Sequence, residues 1–252
     1  MPADRRLRVL VTRPADDAGP LADRLRDLGF EPVIEPLLTI VPTGETIALD
    51  GVQAVLLTSA NGARALARAT TRRDLPVFAV GDATARAALD GGFVAVASAA
   101  GDVAALAALV RARCAPAAGS LLHVSGREVA GDLAGRLAQA GLAVRRAVLY
   151  RAEPAAALSP GLCGRIAAGG IDAALFLSPR TARSFVTLVA GAKLAASCRR
   201  MVALCLSQVV ADALPAGFCQ AVRIAAAPTE AVLLEALKRW AADEAAKDRG
   251  SG

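Results

Sequence analysis

Short apolar runs alternate with amphipathic helical stretches along almost the whole chain. Leu7–Val11 predicts a strand, and Asp16–Leu28 predicts a helix that ends at Gly29. The same alternation continues from Val52–Leu57 to Thr229–Ala241. Strands that are separated by helices pair in parallel, and the helices cover both faces of the sheet. The pattern therefore predicts an α/β fold built on parallel sheets.

Two further stretches complete the predicted elements. The pattern favours a helix over Val129–Ala140. The final segment, Asp243–Gly252, is polar, and we expect it to fray.

The chain also repeats its own pattern, which indicates two diverged copies of one α/β unit. Ser59–Leu66 aligns with Ser178–Phe185, and each copy follows an apolar strand. Chance similarity between alanine-rich helices is the alternative explanation, but several matches in one order favour duplication. The other matching stretches are 21–29 with 133–141, 81–85 with 207–211, and 102–109 with 230–237.

The charge of the chain favours an anionic partner. The formal net charge is +6 and the isoelectric point is about 9.5. The arginines are dispersed, however, and no aromatic residues interleave with them to form a base-stacking platform. An acidic small molecule is therefore favoured over a nucleic acid or a membrane surface.

Cysteine and histidine usage argues against a metal site. The five cysteines form no CxxC pair, and His123 is the only histidine. Phosphate-loop, dinucleotide and nucleophile-elbow motifs are also missing. We expect reduced cysteines, a packed core position for His123, and chemistry without metal, nucleotide or covalent nucleophile. With no apolar segment long enough for export or a membrane span, we expect a cytoplasmic chain, and nothing demands more than a monomer.

Polar residues at the ends of predicted strands are the candidate binding residues. Ligands of open parallel sheets bind where strands end and helices begin, and helix N-termini favour anions. Each candidate is also an ordinary helix-capping position, and capping alone would explain any single one. Several such ends, with arginines nearby, would hold a polycarboxylate. The candidates are Thr12, Arg13, Ser59, Ala60, Asn61, Gly81, Thr84, Ser125, Arg127, Ser178 and Ser207.

Tyr150 is the candidate catalytic residue. It is the only tyrosine, and it closes the strand that leads into Arg151. One interpretation is a residue packed against a domain edge. The other is a phenol that donates a hydrogen bond to a leaving oxygen near neutral pH.

The order of several short segments resembles the uroporphyrinogen-III synthase family over nearly the whole chain. The resemblance implies two flavodoxin-like parallel-sheet domains joined by a two-strand linker. Residues 1–36 would pair with 153–252, residues 39–150 would form an inserted domain, and the linkers would lie near 36–40 and 147–152. The segments are Val11-Thr12-Arg13-Pro14, Leu57–Gly62, Val80–Ala85, Val148–Arg151, Phe176–Pro179 and Ala227-Pro228-Thr229.

The same resemblance implies an activity. Family members cyclise hydroxymethylbilane, a polycarboxylate supplied by an upstream deaminase, with loss of water, inversion of the last pyrrole ring and no cofactor. Tyr150 matches the family tyrosine near the leaving group. Thr84, Ser59 and Ser178 match a threonine and two strand-end serines. Ser207 and Val210 depart from the second Gly-x-x-Thr-Ala segment, which removes an expected hydroxyl contact.

Two other classes of function remain open at this point. The first is a non-catalytic two-domain binding protein for an anionic small molecule or a tetrapyrrole. The second is a regulatory relative of the synthases that has lost activity, which the Val210 departure allows. Turnover separates the enzyme from both, because either alternative would bind without forming product.

Overall fold

The computed structural model describes residues 5–129 and 131–250, the last three by their backbone alone. The chain divides into two compact units. The discontinuous unit comprises Met1–Thr39 with Pro154–Gly252, and the inserted unit comprises Ile40–Glu153.

The helices and strands alternate along most of the chain. A short 3-10 helix, Pro116–Ala118, precedes β7. In chain order the elements are β1 (Arg8–Val11), α1 (Ala15–Asp27), β2 (Glu31–Ile34), β3 (Leu38–Pro42), β4 (Val52–Leu57), α2 (Ala60–Ala69), β5 (Val77–Ala79), α3 (Asp82–Asp90), β6 (Val96–Ser98), α4 (Val103–Arg113), β7 (Ser120–Gly126), α5 (Leu133–Ala138), β8 (Val144–Pro154), α6 (Pro160–Ala167), β9 (Ala173–Phe176), α7 (Pro179–Gly191), α8 (Ala195–Cys198), β10 (Val202–Cys205), α9 (Gln208–Ala211), β11 (Ala221–Ile224) and α10 (Glu230–Gly250).

The discontinuous unit is built on a five-stranded sheet with the order β2-β1-β9-β10-β11, and its pairs are parallel. Its central strands β9 and β10 are buried along their whole length, as expected of a sheet covered on both faces. One apolar cluster includes Phe176 and Phe185, and a second includes Leu21, Leu237 and Trp240. The strand order is the flavodoxin-like order 2-1-3-4-5.

The inserted unit is built on a six-stranded sheet with the order β3-β8-β7-β4-β5-β6. The pairs that join β8, β7, β4, β5 and β6 are all parallel. When β7 is counted as the first strand, these five strands also follow the order 2-1-3-4-5. The two sheets therefore repeat one topology in cyclic permutation, which agrees with the repeat in the sequence. The predicted α/β fold with two parallel sheets is confirmed.

The unit boundaries fall inside two strands. The chain leaves the discontinuous unit after Thr39, within β3, and returns to it at Pro154, the last residue of β8. These two strands are neighbours in the six-stranded sheet.

Several sequence-based boundaries were wrong. The helix predicted over Val129–Ala140 spans only Leu133–Ala138, because the Asp132 side chain caps it by accepting a hydrogen bond from the Gly135 amide. Residue 130 of that prediction lies outside the described residues. The pattern also missed α6, which begins after Ser159, where a capping serine precedes a proline at the first helical position.

The prediction that Asp243–Gly252 frays was wrong up to residue 250, since α10 continues through Asp243 to Gly250, and residues 251–252 lie outside the described residues. Alanine and glutamate favour helix. Two ion pairs, Lys238 with Glu235 and Lys247 with Glu244, each join residues about one helical turn apart and support this helix. Within the described residues, no helix is both long enough and apolar enough to cross a membrane.

Candidate active site

The best-organised group of candidate residues lies in the inserted unit, where β4 and β7 run side by side. From β4 the chain continues to β5 on one side of this pair, and from β7 it continues to β8 on the other side. Open α/β sheets bind ligands at such a switch point in the strand order. Thr58 and Ser59 follow β4, and Ser125 and Gly126 end β7. Tyr150 lies on the neighbouring strand β8, with its Cα paired to that of Gly126.

Tyr150 is held at three points. Its phenolic oxygen lies 2.8 Å from the Ser59 Oγ atom. Its backbone carbonyl accepts a hydrogen bond of 3.0 Å from the Arg127 amide. Its ring lies directly against Gly126, where an added Cβ atom would be only 2.7 Å from the tyrosine Cε2 atom. The glycine thus provides the space in which the ring sits, and the half-buried phenol has a defined position.

Ser59 connects that phenol to the start of a helix. Its backbone is extended, and its Oγ atom accepts a hydrogen bond of 3.0 Å from the Gly62 amide, which caps α2. Gly62 lies tightly against β7, since an added Cβ atom would come within 3.1 Å of the Val124 carbonyl oxygen. The N-terminus of α2 is therefore fixed close to the end of β7.

Arg146 holds the other side of this site. Its Nε atom donates to the Ser125 hydroxyl at 2.9 Å. One terminal nitrogen donates to the carbonyl oxygens of Gly126 and Arg127, each at 2.7 Å. The guanidinium group thereby fixes the chain turn beside Tyr150. Arg146 was not among the candidate residues predicted from the sequence, because nothing in a pair of adjacent arginines shows what they contact.

His123 is buried behind the site, as expected from its strand position. Its Nε2 atom lies 3.3 Å from the Thr58 hydroxyl. Burial, and secondarily the positive charge of Arg146, lower the pKa of His123 from 6.5 to about 4. The imidazole is therefore neutral at neutral pH.

The lowered pKa of His123 predicts a specific acid sensitivity. Below pH 6.5 His123 is protonated in the unfolded chain, whereas in the folded chain it stays neutral down to about pH 4. The free energy of unfolding therefore falls as the pH falls through this window. Between pH 7 and pH 5 this coupling removes about 2 kcal/mol from the free energy of unfolding. We expect His123→Gln to lack that part of the pH dependence in urea unfolding experiments. If the free energy of unfolding of His123→Gln and of the unaltered protein falls equally from pH 7 to pH 5, this prediction is contradicted.

The remaining candidates of the inserted unit lie at helix starts. Ala60 begins α2, and the Asn61 side chain accepts a hydrogen bond of 2.7 Å from Arg64. Gly81 is the capping residue of α3, and Thr84 is buried in the first turn of that helix. Arg127 is exposed. Together with the residues around Tyr150, they follow the strands β4, β5 and β7 of one sheet.

In the discontinuous unit, Thr12 and Arg13 make contacts within the unit itself. The buried Thr12 hydroxyl donates to the Leu175 carbonyl at 3.2 Å. Arg13 pairs with Glu230 at 2.6 Å and with Asp17 at 3.4 Å. Its charge is therefore largely neutralised locally.

The two serines of this unit precede helices. Ser178 caps α7 by accepting a hydrogen bond from the Thr181 amide, and its Oγ atom lies 2.7 Å from the Thr181 hydroxyl. Ser207 precedes the four-residue helix α9 and makes no capping hydrogen bond with its side chain. Val210 lies within α9, and its side chain is buried in the apolar cluster around Phe176, so this helix start has no threonine hydroxyl to offer a ligand.

Metal ligands do not cluster in the part of the chain that the structure describes. No group of three or more His, Cys, Asp or Glu side chains there is placed to hold a metal ion. All five cysteines are unpaired thiols, and burial raises the pKa of Cys205 and Cys219 to about 12.

The fold and the site define a class: a protein of two flavodoxin-like α/β units with a polar site at a sheet switch point. Residues 19–235 match the family model described as Uroporphyrinogen-III synthase HemD. The chain therefore belongs to the uroporphyrinogen-III synthase family, a family of tetrapyrrole biosynthesis, and the resemblance seen in the sequence is confirmed. No curated protein matches the sequence significantly.

Solved structures show the same fold. Uroporphyrinogen-III synthetase from Helicobacter pylori is similar with a TM-score of 0.60 and 16% identity, covering 92% of this chain and 97% of that one. A mutant uroporphyrinogen III synthase from the extremely thermophilic bacterium Thermus thermophilus gives a TM-score of 0.50 and 20% identity, covering 96% and 99%. At these identities the likeness shows the fold.

Proposed function

We propose that the chain is a uroporphyrinogen-III synthase, which cyclises hydroxymethylbilane with loss of water and inversion of the last pyrrole ring. The observation that carries the proposal is the fixed phenol of Tyr150, 2.8 Å from Ser59 at the sheet switch point, in a member of this family. The reaction is a dehydration with carbon–carbon bond formation and no net redox change. It therefore needs no redox cofactor.

In this proposal Tyr150 acts as the general acid. The phenol donates its proton to the leaving hydroxyl, the carbon–oxygen bond breaks, and water departs. The electrons of the pyrrole nitrogen stabilise the resulting azafulvene cation. The proton returns to Tyr150 when ring closure releases one from the last pyrrole, so the residue ends in its starting form.

The rest of the reaction depends on positioning a flexible substrate. The substituted carbon of the last pyrrole attacks the azafulvene to form a spiro intermediate, which reopens and recloses inverted. Helix starts at Ser59 and Gly81 offer amide groups and partial positive charge to the substrate carboxylates. Thr12, Arg13, Ala60, Asn61, Thr84, Ser125, Arg127, Ser178 and Ser207 remain proposed binding residues. By holding the bilane in one conformation, the protein would favour attack by the substituted carbon, which gives the inverted ring, over direct closure without inversion.

The proposal extends to the setting of the enzyme. We assign a monomer in the cytoplasm that receives its unstable substrate from the upstream deaminase. The net charge of +6 favours capture of a polycarboxylate.

Multiple turnover decides between an enzyme and a binding protein. Hydroxymethylbilane is generated by its deaminase, a catalytic amount of the chain is added, and the oxidised products are separated as porphyrin isomers I and III. We expect isomer III in large molar excess over the protein. Isomer I alone, together with stoichiometric binding of the bilane, would favour the non-catalytic binding protein instead.

A further inference from the structure

We infer that Ser59 is a positioning residue that donates its hydroxyl proton to the phenolic oxygen of Tyr150. The phenol's own proton is then left to reach the leaving hydroxyl of the substrate. This inference rests on the proposed function. It gives Ser59 a role that acts through Tyr150, in place of the direct substrate contact expected from the sequence.

The hydrogen bonds of Ser59 make this arrangement possible. A serine hydroxyl has one proton to donate and two lone pairs with which to accept. One lone pair accepts the Gly62 amide at 3.0 Å. The oxygen–oxygen distance of 2.8 Å to Tyr150 is typical of a hydroxyl–hydroxyl hydrogen bond. Either oxygen can donate in that second bond, so its direction decides what the phenol can do.

The helix start favours donation from Ser59. An oxygen that accepts an amide proton at the positive end of a helix has a more polarised O–H group, which makes it a better donor. The Gly62 amide, the Ser59 hydroxyl and the Tyr150 hydroxyl then form a chain in which every donor points the same way. In the reverse direction the phenol proton would be engaged by Ser59 and would point away from the substrate.

The same bond strengthens during the proposed reaction. When Tyr150 gives its proton to the leaving hydroxyl, water departs and a phenolate oxygen remains. The Ser59 hydroxyl already points at that oxygen, and its bond becomes charge-assisted as the negative charge develops. The phenol itself need not move, because Gly126 and the Arg127 amide keep the tyrosine in place.

Three substitutions of Ser59 separate positioning from helix capping. Threonine keeps the hydroxyl proton and the cap, alanine loses both, and aspartate keeps the cap but its carboxylate can only accept. We expect Ser59→Thr to retain kcat within about threefold, and Ser59→Ala to lose about tenfold. Ser59→Asp should lose at least as much as alanine although its helix is capped, because it draws the phenol proton toward itself. A capping role alone predicts that the aspartate variant is at least as active as the threonine variant and that the alanine variant is the least active.

The same three substitutions in a Tyr150→Phe background complete the test. Without the phenol, we expect each of them to change the remaining kcat by less than about twofold, since interacting residues are not additive. Equal losses in both backgrounds, or an aspartate variant as active as threonine, would overturn the inference. Isomer III formation by the unaltered chain is measured separately. A chain that forms no isomer III would refute the proposed function, whereas the Ser59 variants test only the role of Ser59.

Discussion

Tyr150→Phe lowers kcat for isomer III formation by about 100-fold, the size expected when a general acid is removed. The substitution deletes one oxygen and leaves the ring against Gly126. Because the proposed role of the deleted hydroxyl is to protonate the leaving group and not to bind the carboxylates, we expect KM to change little. Initial rates of isomer III formation at several bilane concentrations separate the two constants.

The fold is expected to survive this change. Ser59 keeps its bond to the Gly62 amide, so α2 remains capped in the variant. The thermal unfolding midpoint is therefore expected to stay within a few degrees of that of the unaltered protein. If the variant folds normally and keeps the kcat of the unaltered chain, Tyr150 has no part in the chemical step.

Gly126→Ala lowers kcat by about tenfold or more by displacing Tyr150, without any change to a catalytic group. The added methyl group would lie 2.7–3.1 Å from the outer ring atoms and hydroxyl of the tyrosine, which must therefore move. The glycine has no positive φ angle, so alanine fits its backbone conformation. The defect should fall on kcat, measured in the same isomer III assay.

Gly164→Ala is the matched control for that experiment. Gly164 lies inside α6, and an added Cβ atom there meets nothing within 4 Å. We expect unchanged activity and a gain of about 0.5–1 kcal/mol in stability from the better helix former. A loss of activity from Gly126→Ala that persists undiminished in a Tyr150→Ala background would show that the glycine acts by another route.

Much of the fold could be predicted from the sequence, because parallel sheets leave a periodic signal. Buried strands such as Val52–Leu57 form nearly continuous apolar runs, interrupted here only by Gln53, and the bounds of this strand were predicted without error. The repeat agrees with the matching sheet orders, since three of its four pairs of aligned stretches contain a helix start in both copies. Helix α6 was missed because its two glycines interrupt the apolar periodicity of a helix. The predicted end of α10 came too early because the exposed C-terminal part of the helix has no apolar periodicity.

The candidate site was less accessible from the sequence. Strand-end serines are visible as helix caps, but the contact between Ser59 and Tyr150 joins residues 91 positions apart. Arg13 and Arg146 are chemically identical in the sequence. One is paired with Glu230, whereas the other donates to strand-end carbonyl groups. Such differences arise from strand register and packing, which determine the partner of a charged side chain.

Isomer composition under single-turnover conditions tests the central claim most directly. The chain is mixed in molar excess with freshly prepared hydroxymethylbilane, and the products are oxidised and separated as isomers I and III. Because the bilane then reacts while bound, slow product release cannot hide the chemistry. We predict that isomer III dominates with the unaltered protein and that isomer I dominates when the protein is omitted. Only isomer I from the folded protein in excess would contradict the assignment of this chain as a uroporphyrinogen-III synthase.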